Sequence, residues 1–371
     1  MAAADLERVT QTFLELVQID SPSFQEQAIA GRMTAELEGL GLRVEHDGSG
    51  PDGVGNLIGR LPGGSGLPIA LSAHLDTVQP GEGIRPVVRD GVVWSEGETI
   101  LGADDKAGLA AILEALRVVR EANLAHPPLE VILTWGEERA HLGAALVDVS
   151  KLAAKVCFVP DAEGDIGTVI TAAPSYESIS AVFAGTSAHA GMEPERGRSA
   201  IVAAARAIVA APLGRIDLET TCNVGLIQGG SVRNAVPARA VVEAEARSLD
   251  DARLDRLVSD LRESWEAAAA EAGCTLQFTT RREYRAYRLD DDHPGLRLAR
   301  AGAVAAGMPF RGVATGGGSD ANTFAELGLP SVCLSAGMRQ PHTRDEHVAT
   351  ADLKALADFL LGITAAAISD A

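Results

Sequence analysis

The chain has 371 residues, of which 51 are Asp or Glu and 32 are Lys or Arg, so its formal net charge is −19. With 46% hydrophobic and 22% charged residues, the composition is that of a folded globular protein and excludes a largely disordered chain. So acidic a chain offers no electrostatic footprint for nucleic acid or for an anionic membrane surface.

The cysteines and the N-terminal segment indicate the compartment. The four cysteines lie far apart and form no Cys-x-x-Cys pair, which favours a reducing environment over a disulfide framework. Residues 1–17 are amphipathic and carry early acidic residues, unlike the basic start and unbroken apolar core of a signal peptide. No apolar stretch is long enough to span a bilayer. We therefore expect a soluble, cytoplasmic protein.

In the first half of the chain, apolar runs alternate with helical patterns. The runs at residues 67–73, 130–135 and 155–159 predict buried strands. Between the first two, residues 106–122 place apolar side chains at helical spacing, with charged residues on the opposite face. Strand, helix and strand in this order, with continuous apolar strands, are typical of a parallel sheet covered on both faces.

The pattern changes near residue 174 and changes back after residue 289. Between these points the sequence predicts strands and helices in the order strand, helix, strand, strand, helix, strand. These predicted elements lie at residues 178–183, 199–211, 222–228, 240–246, 251–272 and 275–280. That order is the split βαβ arrangement. The apolar run at 331–335 and helical patterns at 295–306 and 353–368 then resume the first pattern. We therefore predict one α/β domain of residues 1–175 and 289–371, interrupted by an α+β domain of residues 176–288.

Five short segments place His, Asp or Glu at or just beyond the carboxyl end of a predicted strand, where open α/β sheets bind ligands. Their candidate residues are His74 with Asp76, Asp104 with Asp105, Glu137 with Glu138, Asp161, and His342. Together they supply nitrogen and oxygen ligands for two zinc-like divalent ions about 3.5–4 Å apart. Neither a G-x-S-x-G nor a G-x-x-x-x-G-K-[ST] motif is present, which disfavours serine hydrolases and nucleotide hydrolases.

Taken singly, each segment has a simpler alternative. His74 and Asp76 point the same way on an extended segment, so the carboxylate could orient the imidazole, or both could lie at the surface. Asp104 could bridge two cations, or it or its neighbour could cap the following helix. Adjacent Glu137 and Glu138 could be a proton shuttle and a ligand, or a solvated charge pair.

The sequence resembles the M20 metallopeptidases, and within them the peptidase T-like branch. The resemblance covers nearly the whole chain and is carried by AHLDT at 73–77, LGADDKAG at 101–108, Glu137-Glu138, Asp161, GTSAHAG at 185–191, GGSVRNAVP at 229–237, GGGSDAN at 316–322, and His342 with Glu346. One departure concerns the loop after the glutamate pair. The family usually has a glycine two residues after the pair, whereas Ala140 and His141 stand there, which affects loop shape rather than the ligand set.

The resemblance implies a division of the metal ligands. One ion would be held by His74, Asp104 and Asp161. The other would be held by Asp104, Glu138 and His342, so that Asp104 bridges the two. The ions would be two divalent cations per subunit, zinc in the first place, with cobalt or manganese as alternatives. The α/β domain would have a mixed, largely parallel sheet with helices on both faces, as in zinc exopeptidases.

The resemblance also implies roles for other residues. Asp76 would orient His74, and Glu137 would take a proton from the water that the two ions share. The α+β insert would be a ferredoxin-like lid and dimerisation domain. Its His189 would reach a substrate carbonyl, often in the partner subunit, and Asn234 lies in a segment similar to a substrate-contacting loop. The glycine-rich segment with Ser319 could bind a substrate carboxylate through backbone N–H groups, or form a tight turn.

We therefore predict a dinuclear metal-dependent hydrolase of short peptides, most like a tripeptide aminopeptidase, with water activated by Glu137. Its partners would be a small peptide and a second copy of the chain, and neither nucleic acid nor a membrane. One alternative is an amidohydrolase of the same family that acts on N-acyl amino acids. Another is a non-catalytic protein that binds metal or amino acids. Glu137 distinguishes the last, because a pure binder needs no base beside a complete ligand set.

Overall fold

The computed structural model describes residues 2–51 and 53–369. The described α-helices are α1 (Leu6–Val17), α2 (Gln27–Gly39), α3 (Ala103–Glu121), α4 (Ala200–Ala210), α5 (Asp251–Glu271), α6 (Pro294–Ala306), α7 (Asp320–Glu326) and α8 (Thr350–Ser369). The strands are β1 (Arg43–His46), β2 (Leu57–Leu61), β3 (Ile69–His74), β4 (Pro86–Arg89), β5 (Val92–Ser95), β6 (Leu129–Thr134), β7 (Val156–Ala162), β8 (Thr168–Ala173), β9 (Ser175–Ala184), β10 (Gly214–Arg215), β11 (Thr220–Gly229), β12 (Arg239–Ser248), β13 (Thr275–Tyr284), β14 (Tyr287–Arg288), β15 (Arg311–Ala314), β16 (Ser331–Ser335), β17 (Met338–Arg339) and β18 (His347–Ala349).

The chain forms two compact units. Unit 1 takes the described residues up to Ala172, then Leu289–Ala314, and the described residues from Ser319 onward. Unit 2 consists of Ala173–Arg288 and Thr315–Gly318. The sequence prediction places the boundary at 175/176 and leaves residues 315–318 with the flanking domain. That short segment joins unit 2 because Arg247 Nη1 lies 3.4 Å from the main-chain oxygen of Gly316.

Unit 1 is built around a mixed, largely parallel sheet, as the sequence predicts. Its strands lie in the order β1-β2-β6-β3-β7-β16-β8, with β15 beside β8. Strands β6, β3, β7 and β16 are parallel to one another, whereas β1 and β2 form an antiparallel edge. Every residue of β3, β6 and β16 is buried, which explains why these strands appear in the sequence as unbroken apolar runs.

The charged face predicted for the helix at 106–122 is not simply solvated. Helix α1 packs against α3, and the carboxylate of Glu114 on α3 is fully buried beneath it. Arg8 Nε donates to Glu114 at 2.7 Å, and the backbone N–H of Asp5 donates to the same carboxylate at 2.8 Å. A buried carboxylate needs such partners, so this ion pair fixes α1 on the outside of α3.

A small antiparallel sheet in unit 1, with strand order β17-β18-β5-β4, carries a loop with one of the candidate metal ligands. Residues 340–346 connect β17 to β18, and His342 lies in this connection. Met338 pairs with Val348, so the two ends of the connection are held together.

Unit 2 has the predicted ferredoxin-like order. Its antiparallel sheet runs β10-β11-β12-β9-β13, and α4 and α5 pack on one face. Alternate residues of β9 (Ile179, Ala181 and Phe183) face these helices and are buried with Trp265 of α5. Within the described part of the chain, no helix is both long enough and apolar enough to cross a membrane.

Candidate metal centre

Three neighbouring strands deliver acidic and imidazole side chains to one edge of the main sheet. Strand β3 ends at His74, which pairs with Thr134 at the end of β6. The segment after β6 continues directly into Glu137 and Glu138, which lie on a short 3₁₀ turn. Strand β7 is parallel to β3 and carries Asp161 near its end. Parallel alignment therefore brings these residues together at the carboxyl edge.

At the start of α3, the structure distinguishes the two roles, helix capping and metal binding, that the sequence left open for Asp104 and Asp105. Asp105 Oδ1 accepts the backbone N–H of Gly108 at 3.1 Å, which is the hydrogen bond of a capping residue. Asp104 has non-helical backbone angles, φ −82° and ψ 104°. Its carboxylate faces the strand ends instead of the helix.

The first cluster consists of His74, Asp104 and Asp161, one ligand atom from each lying within 4.8 Å of the others. His74 Nε2 lies 2.9 Å from Asp104 Oδ1 and 3.5 Å from Asp161 Oδ1. His74 is buried, so these contacts are shielded from bulk water.

The second cluster shares Asp104 with the first and adds Glu138 and His342. His342 Nε2 lies 3.2 Å from Asp104 Oδ2 and 3.0 Å from Glu138 Oε1. Asp104 therefore presents one oxygen to His74 and the other to His342. His342 has a positive φ of 63°, and its side chain is about half exposed (52%), unlike the other ligands.

Asp76 connects the first cluster to the glutamate pair. His74 Nδ1 lies 2.9 Å from the main-chain oxygen of Asp76 but 3.5 Å from its carboxylate. The carboxylate instead accepts the backbone N–H groups of Glu137 (2.9 Å) and Glu138 (3.3 Å), and the hydroxyl of Ser23 (2.7 Å). The main chain of Asp76 thus orients His74, while its side chain holds the glutamate turn.

Glu137 is buried next to the two clusters, and with His74 and Glu138 it forms a third group whose ligand atoms lie within 4.8 Å of one another. Burial, and then the charge of Asp161, raise the pKa of its carboxyl well above the ordinary value. Its Oε1 lies 3.3 Å from His141 Nε2. A buried carboxylate of raised pKa beside a ligand cluster is suited to accept a proton.

The chemistry of this donor set fits divalent cations. The buried Glu138 Oε1 accepts no well-formed hydrogen bond, although His342 Nε2 lies 3.0 Å away. Contacts with Asp104 and Glu138 raise the pKa of His342 to about 10, which reflects an excess of negative charge at this point. Two imidazoles and three carboxylates in shared clusters form a nitrogen and oxygen set for two metal ions.

Comparison with known proteins identifies the family. Residues 70–366 match the family model described as Peptidase family M20/M25/M40. This chain belongs to that family. It is therefore a metallopeptidase with a candidate dinuclear metal site, and the resemblance seen in the sequence is confirmed.

Its relatives include proteins of nearly the same length. An uncharacterized protein of Bacillus subtilis, YqjE, is 40% identical over 360 residues, covering 96% of this chain and 97% of the relative. The crystal structure of aminopeptidase PepT from Bacillus cereus has a TM-score of 0.88 and 38% identity, covering 98% of this chain and 99% of the other. That of a tripeptidase from Staphylococcus aureus has a TM-score of 0.92 and 36% identity, with 98% of both chains covered. This M20 peptidase is thus similar in structure to the peptidase T-like branch.

In this M20 peptidase the substrate residues predicted in the insert lie in unit 2. The backbone segments of His189 and Asn234 run side by side, because His189 pairs with Ala235 and the N–H of Ala190 donates to the oxygen of Asn234 at 3.0 Å. Both side chains are exposed. Their contact with substrate stays a prediction.

Ser319 has a structural task in unit 1. It is the N-cap of α7, where its hydroxyl accepts the N–H of Ala321 at 3.3 Å, and with Asn322 it forms a capping box. This is the turn that the sequence offered as the alternative to a substrate site. Contact of Ser319 with substrate also stays a prediction.

Two residues near the clusters had no role assigned from sequence. Glu346 is fully buried and binds the loop that carries Asp104. His141 is also buried, although the sequence singled it out only as a departure from the family pattern. The position of Glu346, four residues after the candidate ligand His342, could have indicated a role near the site. A carboxylate at that spacing can turn back toward the same site. His141 gave a weaker signal: it lies four residues after Glu137, but its other partner, Thr323, lies on a distant helix.

Proposed function

We propose that this M20 peptidase is a cytoplasmic tripeptide aminopeptidase that works with two zinc ions. The main support for this proposal is the position of Asp104. Its two carboxylate oxygens face His74 and His342, at 2.9 and 3.2 Å. A carboxylate in this position suits a bridge between two cations. The likeness to an aminopeptidase PepT and a tripeptidase over 98% of the chain supports this substrate class over other amides. The four buried, free cysteines agree with a reducing compartment.

The ligand roles follow the two clusters. His74 and Asp161 would complete one ion's ligand set, and Glu138 and His342 the other's, with Asp104 common to both. When bound, the ions would supply Lewis acidity that polarises the scissile carbonyl and acidifies water. Neutral histidines are required for this, so His74 would present Nε2 while its Nδ1–H donates to the oxygen of Asp76.

Glu137 would carry the proton. It would accept a proton from the attacking water and deliver it to the amine nitrogen of the leaving peptide, so that it ends the cycle ionised as it began. The N–H of its own backbone is held by Asp76 at 2.9 Å, which fixes the turn from which the carboxylate projects. A group fixed in this way needs little reorganisation during transfer.

We also infer that unit 2 is a lid and forms a homodimer. Its edge strand β11 is paired by β10 only at Thr221 and Cys222 within the described chain, so the rest of this edge is open to another strand. Exposed apolar side chains line the same region, including Leu226 (60%) and Ile227 (51%) on β11 and Ile201 (40%) on α4. Exposed apolar side chains beside an open strand edge favour association with a second copy.

The test is a substrate panel on purified protein. Dipeptides, tripeptides and N-acyl amino acids are assayed after chelation and again after adding zinc, manganese or cobalt. We expect no hydrolysis after chelation, recovery with a divalent ion, and the highest kcat/KM with tripeptides. Faster turnover of N-acyl amino acids would instead make the protein an amidohydrolase of the same family. Stoichiometric metal with no turnover of any substrate would indicate a binding protein.

A matched variant separates catalysis from metal binding. Glu137→Ala should keep both ions, because Glu137 is no ligand in the proposed set, and should lower kcat about 10²–10⁴-fold. Metal analysis and single-turnover assays measure the two effects. Loss of both ions in Glu137→Ala would show that the role is misassigned.

A further inference from the structure

A buried histidine lies directly behind the proposed base. His141 Nε2 is 3.3 Å from Glu137 Oε1, and His141 Nδ1 is 3.0 Å from the hydroxyl of Thr323 on α7. The His141 side chain is only 4% exposed and that of Glu137 9%, so their contact is shielded from solvent. Both ring nitrogens of His141 thus have polar neighbours in a buried site.

The local backbone is folded so as to bring this ring back toward Glu137. Ala140 and His141 both have positive φ, 64° and 57°, and the N–H of His141 donates to the oxygen of Glu137 at 2.8 Å. A non-glycine residue in the left-handed region costs of the order of 1 kcal/mol, and such strain concentrates at functional sites. The turn is therefore strained at two residues, and this strain accompanies the placement of the His141 imidazole against Glu137.

Helix α7 holds the glutamate turn on both sides. Before the turn, Thr134 at the end of β6 donates its hydroxyl to Asp320 Oδ2 at 2.5 Å. After the turn, His141 contacts Thr323, one turn further along the same helix. The segment that carries Glu137 is therefore anchored to one rigid element at two points.

The neighbours of the ring select its tautomer. An ionised Glu137 can only accept, so Nε2 must carry the hydrogen and donate to Oε1. In the neutral ring Nδ1 then has a lone pair, which accepts the hydroxyl hydrogen of Thr323. In this tautomer the ring would link Thr323 to Glu137 in a directed chain, through the 3.0 Å contact at Nδ1 and the 3.3 Å contact at Nε2. It holds Oε1 and leaves Oε2 as the oxygen available to a proton from water.

We propose that His141 is a positioning residue, which holds the Glu137 carboxylate in the orientation needed for proton transfer through the Thr323–His141–Glu137 chain. This inference rests on the proposed function for its kinetic consequence. It predicts an effect on kcat rather than on KM or metal binding, because His141 lies against the proposed base and against Thr323.

Replacing His141 by Gln or by Asn tests its two ring nitrogens separately. In His141→Gln the amide nitrogen can stand where Nε2 stands, so a donor to Glu137 is kept. In His141→Asn the amide reaches only the Nδ1 position and keeps the contact with Thr323. Asparagine tolerates positive φ better than glutamine, so thermal stability should favour Asn while kcat should favour Gln. A merely structural His141 would give the same order for both measurements.

The kinetic experiment compares wild type, His141→Gln, His141→Asn and His141→Leu with one peptide that wild type hydrolyses. His46→Gln, at an exposed position on β1, is the control for histidine replacement and should match wild type. We expect kcat to fall about 10–100-fold in His141→Leu and His141→Asn, to fall less than 5-fold in His141→Gln, and KM and metal content to stay within twofold. In a Glu137→Ala background the His141 changes should have no further effect on residual turnover. Equal losses in both backgrounds, or Asn outperforming Gln in kcat, would overturn the proposal.

A second measurement does not depend on turnover. In protein loaded with zinc, which is diamagnetic, and labelled with ¹⁵N-histidine, the resonance lost in His141→Gln should show a protonated Nε2 and an unprotonated Nδ1, and should shift in Glu137→Ala. A protonated Nδ1, or a resonance unchanged by Glu137→Ala, would refute the hydrogen-bond chain. An inactive wild type with the expected spectrum would refute the proposed function while keeping the chain.

Discussion

Glu346 and Asp104 lie 242 residues apart in the chain, yet Glu346 Oε1 accepts the backbone N–H of Asp104 at 3.0 Å. The other oxygen of the same carboxylate accepts the N–H groups of Leu101 and Gly102 at 2.8 and 2.7 Å. Glu346 is fully buried, and burial raises its pKa to about 7. One side chain thus satisfies three N–H groups of the loop that presents the shared carboxylate.

Replacing this carboxylate should affect both stability and metal affinity. Glu346→Ala leaves three buried N–H groups unpaired, so we expect the free energy of unfolding to fall by about 3 kcal/mol or more. Because the Asp104 loop loses its support, metal affinity should fall about 10–100-fold. Urea unfolding and titration against a competing chelator measure the two effects. Glu346→Gln keeps one oxygen acceptor and should lose less; an alanine variant as stable as wild type would contradict this role.

Metal stoichiometry should distinguish the shared ligand from a terminal one. Asp104→Ala removes a ligand from both clusters and should leave neither site occupied at micromolar metal. His342→Ala removes a ligand from one cluster only and should leave about one ion per chain. Elemental analysis after dialysis gives the counts. Two variants with equal metal content would show that Asp104 does not bridge.

Lys106 should produce a measurable rise in stability with pH. Its side chain is fully buried with Nζ donating to the oxygen of Ile19 at 2.7 Å, and burial lowers its pKa from 10.5 to about 8. Between pH 8 and 10.5 the unfolded chain therefore binds more protons than the folded one, so the free energy of unfolding rises with pH.

The size of this effect follows from the shift. Relative to Lys106→Met, wild type should gain up to about 3 kcal/mol across that window, because each pKa unit corresponds to about 1.4 kcal/mol. Urea unfolding of both proteins at several pH values, in the presence of saturating metal, measures the difference. Parallel pH profiles for the two proteins would show that Lys106 keeps an ordinary pKa.

His189 tests the role proposed for unit 2. If it stabilises the transition state, His189→Ala should keep normal metal content and near-normal stability while turnover falls sharply. If it acts in the partner subunit, mixing His189→Ala with Glu137→Ala under subunit exchange should restore some activity, because one mixed site then has both wild-type groups. No recovery in verified mixed dimers would confine His189 to its own subunit. Unchanged turnover in the single variant would remove it from the mechanism.

Sequence patterns predicted the parts of the fold that are continuous and apolar. Strands β3, β6 and β7 are buried on both faces, so their apolar runs stand out without any tertiary information. The edge strand β1 was missed because its residues, RVEH, are mostly exposed and charged. Helix α7 was missed because it has only seven residues, too few for a clear periodicity.

The site divides in the same way. The proximity of His74 and the glutamate pair could be predicted because parallel strands end at one edge of a sheet, which is a rule of topology. The contacts of Asp76 could be predicted only in part. Its backbone oxygen contacts His74, as the sequence suggested for its side chain, whereas its carboxylate accepts the N–H of Glu137. His141 was out of reach for a different reason: its partner Thr323 lies 182 residues away, on a helix that the pattern did not reveal.

The position of β16 in the main sheet sets an order of events during synthesis. This strand lies between β7 and β8, although residues 174–330 separate it in sequence from both. Strand β8 therefore cannot join the sheet through β16 until residues 331–335 leave the ribosome, and the Asp161 end of β7 lacks its neighbour until then. Most of unit 2 is continuous in sequence and emerges earlier, so it can fold while unit 1 is still incomplete. The catalytic half of the molecule is thus the last to be finished, and a chain released early would carry a folded insert on an open, aggregation-prone sheet.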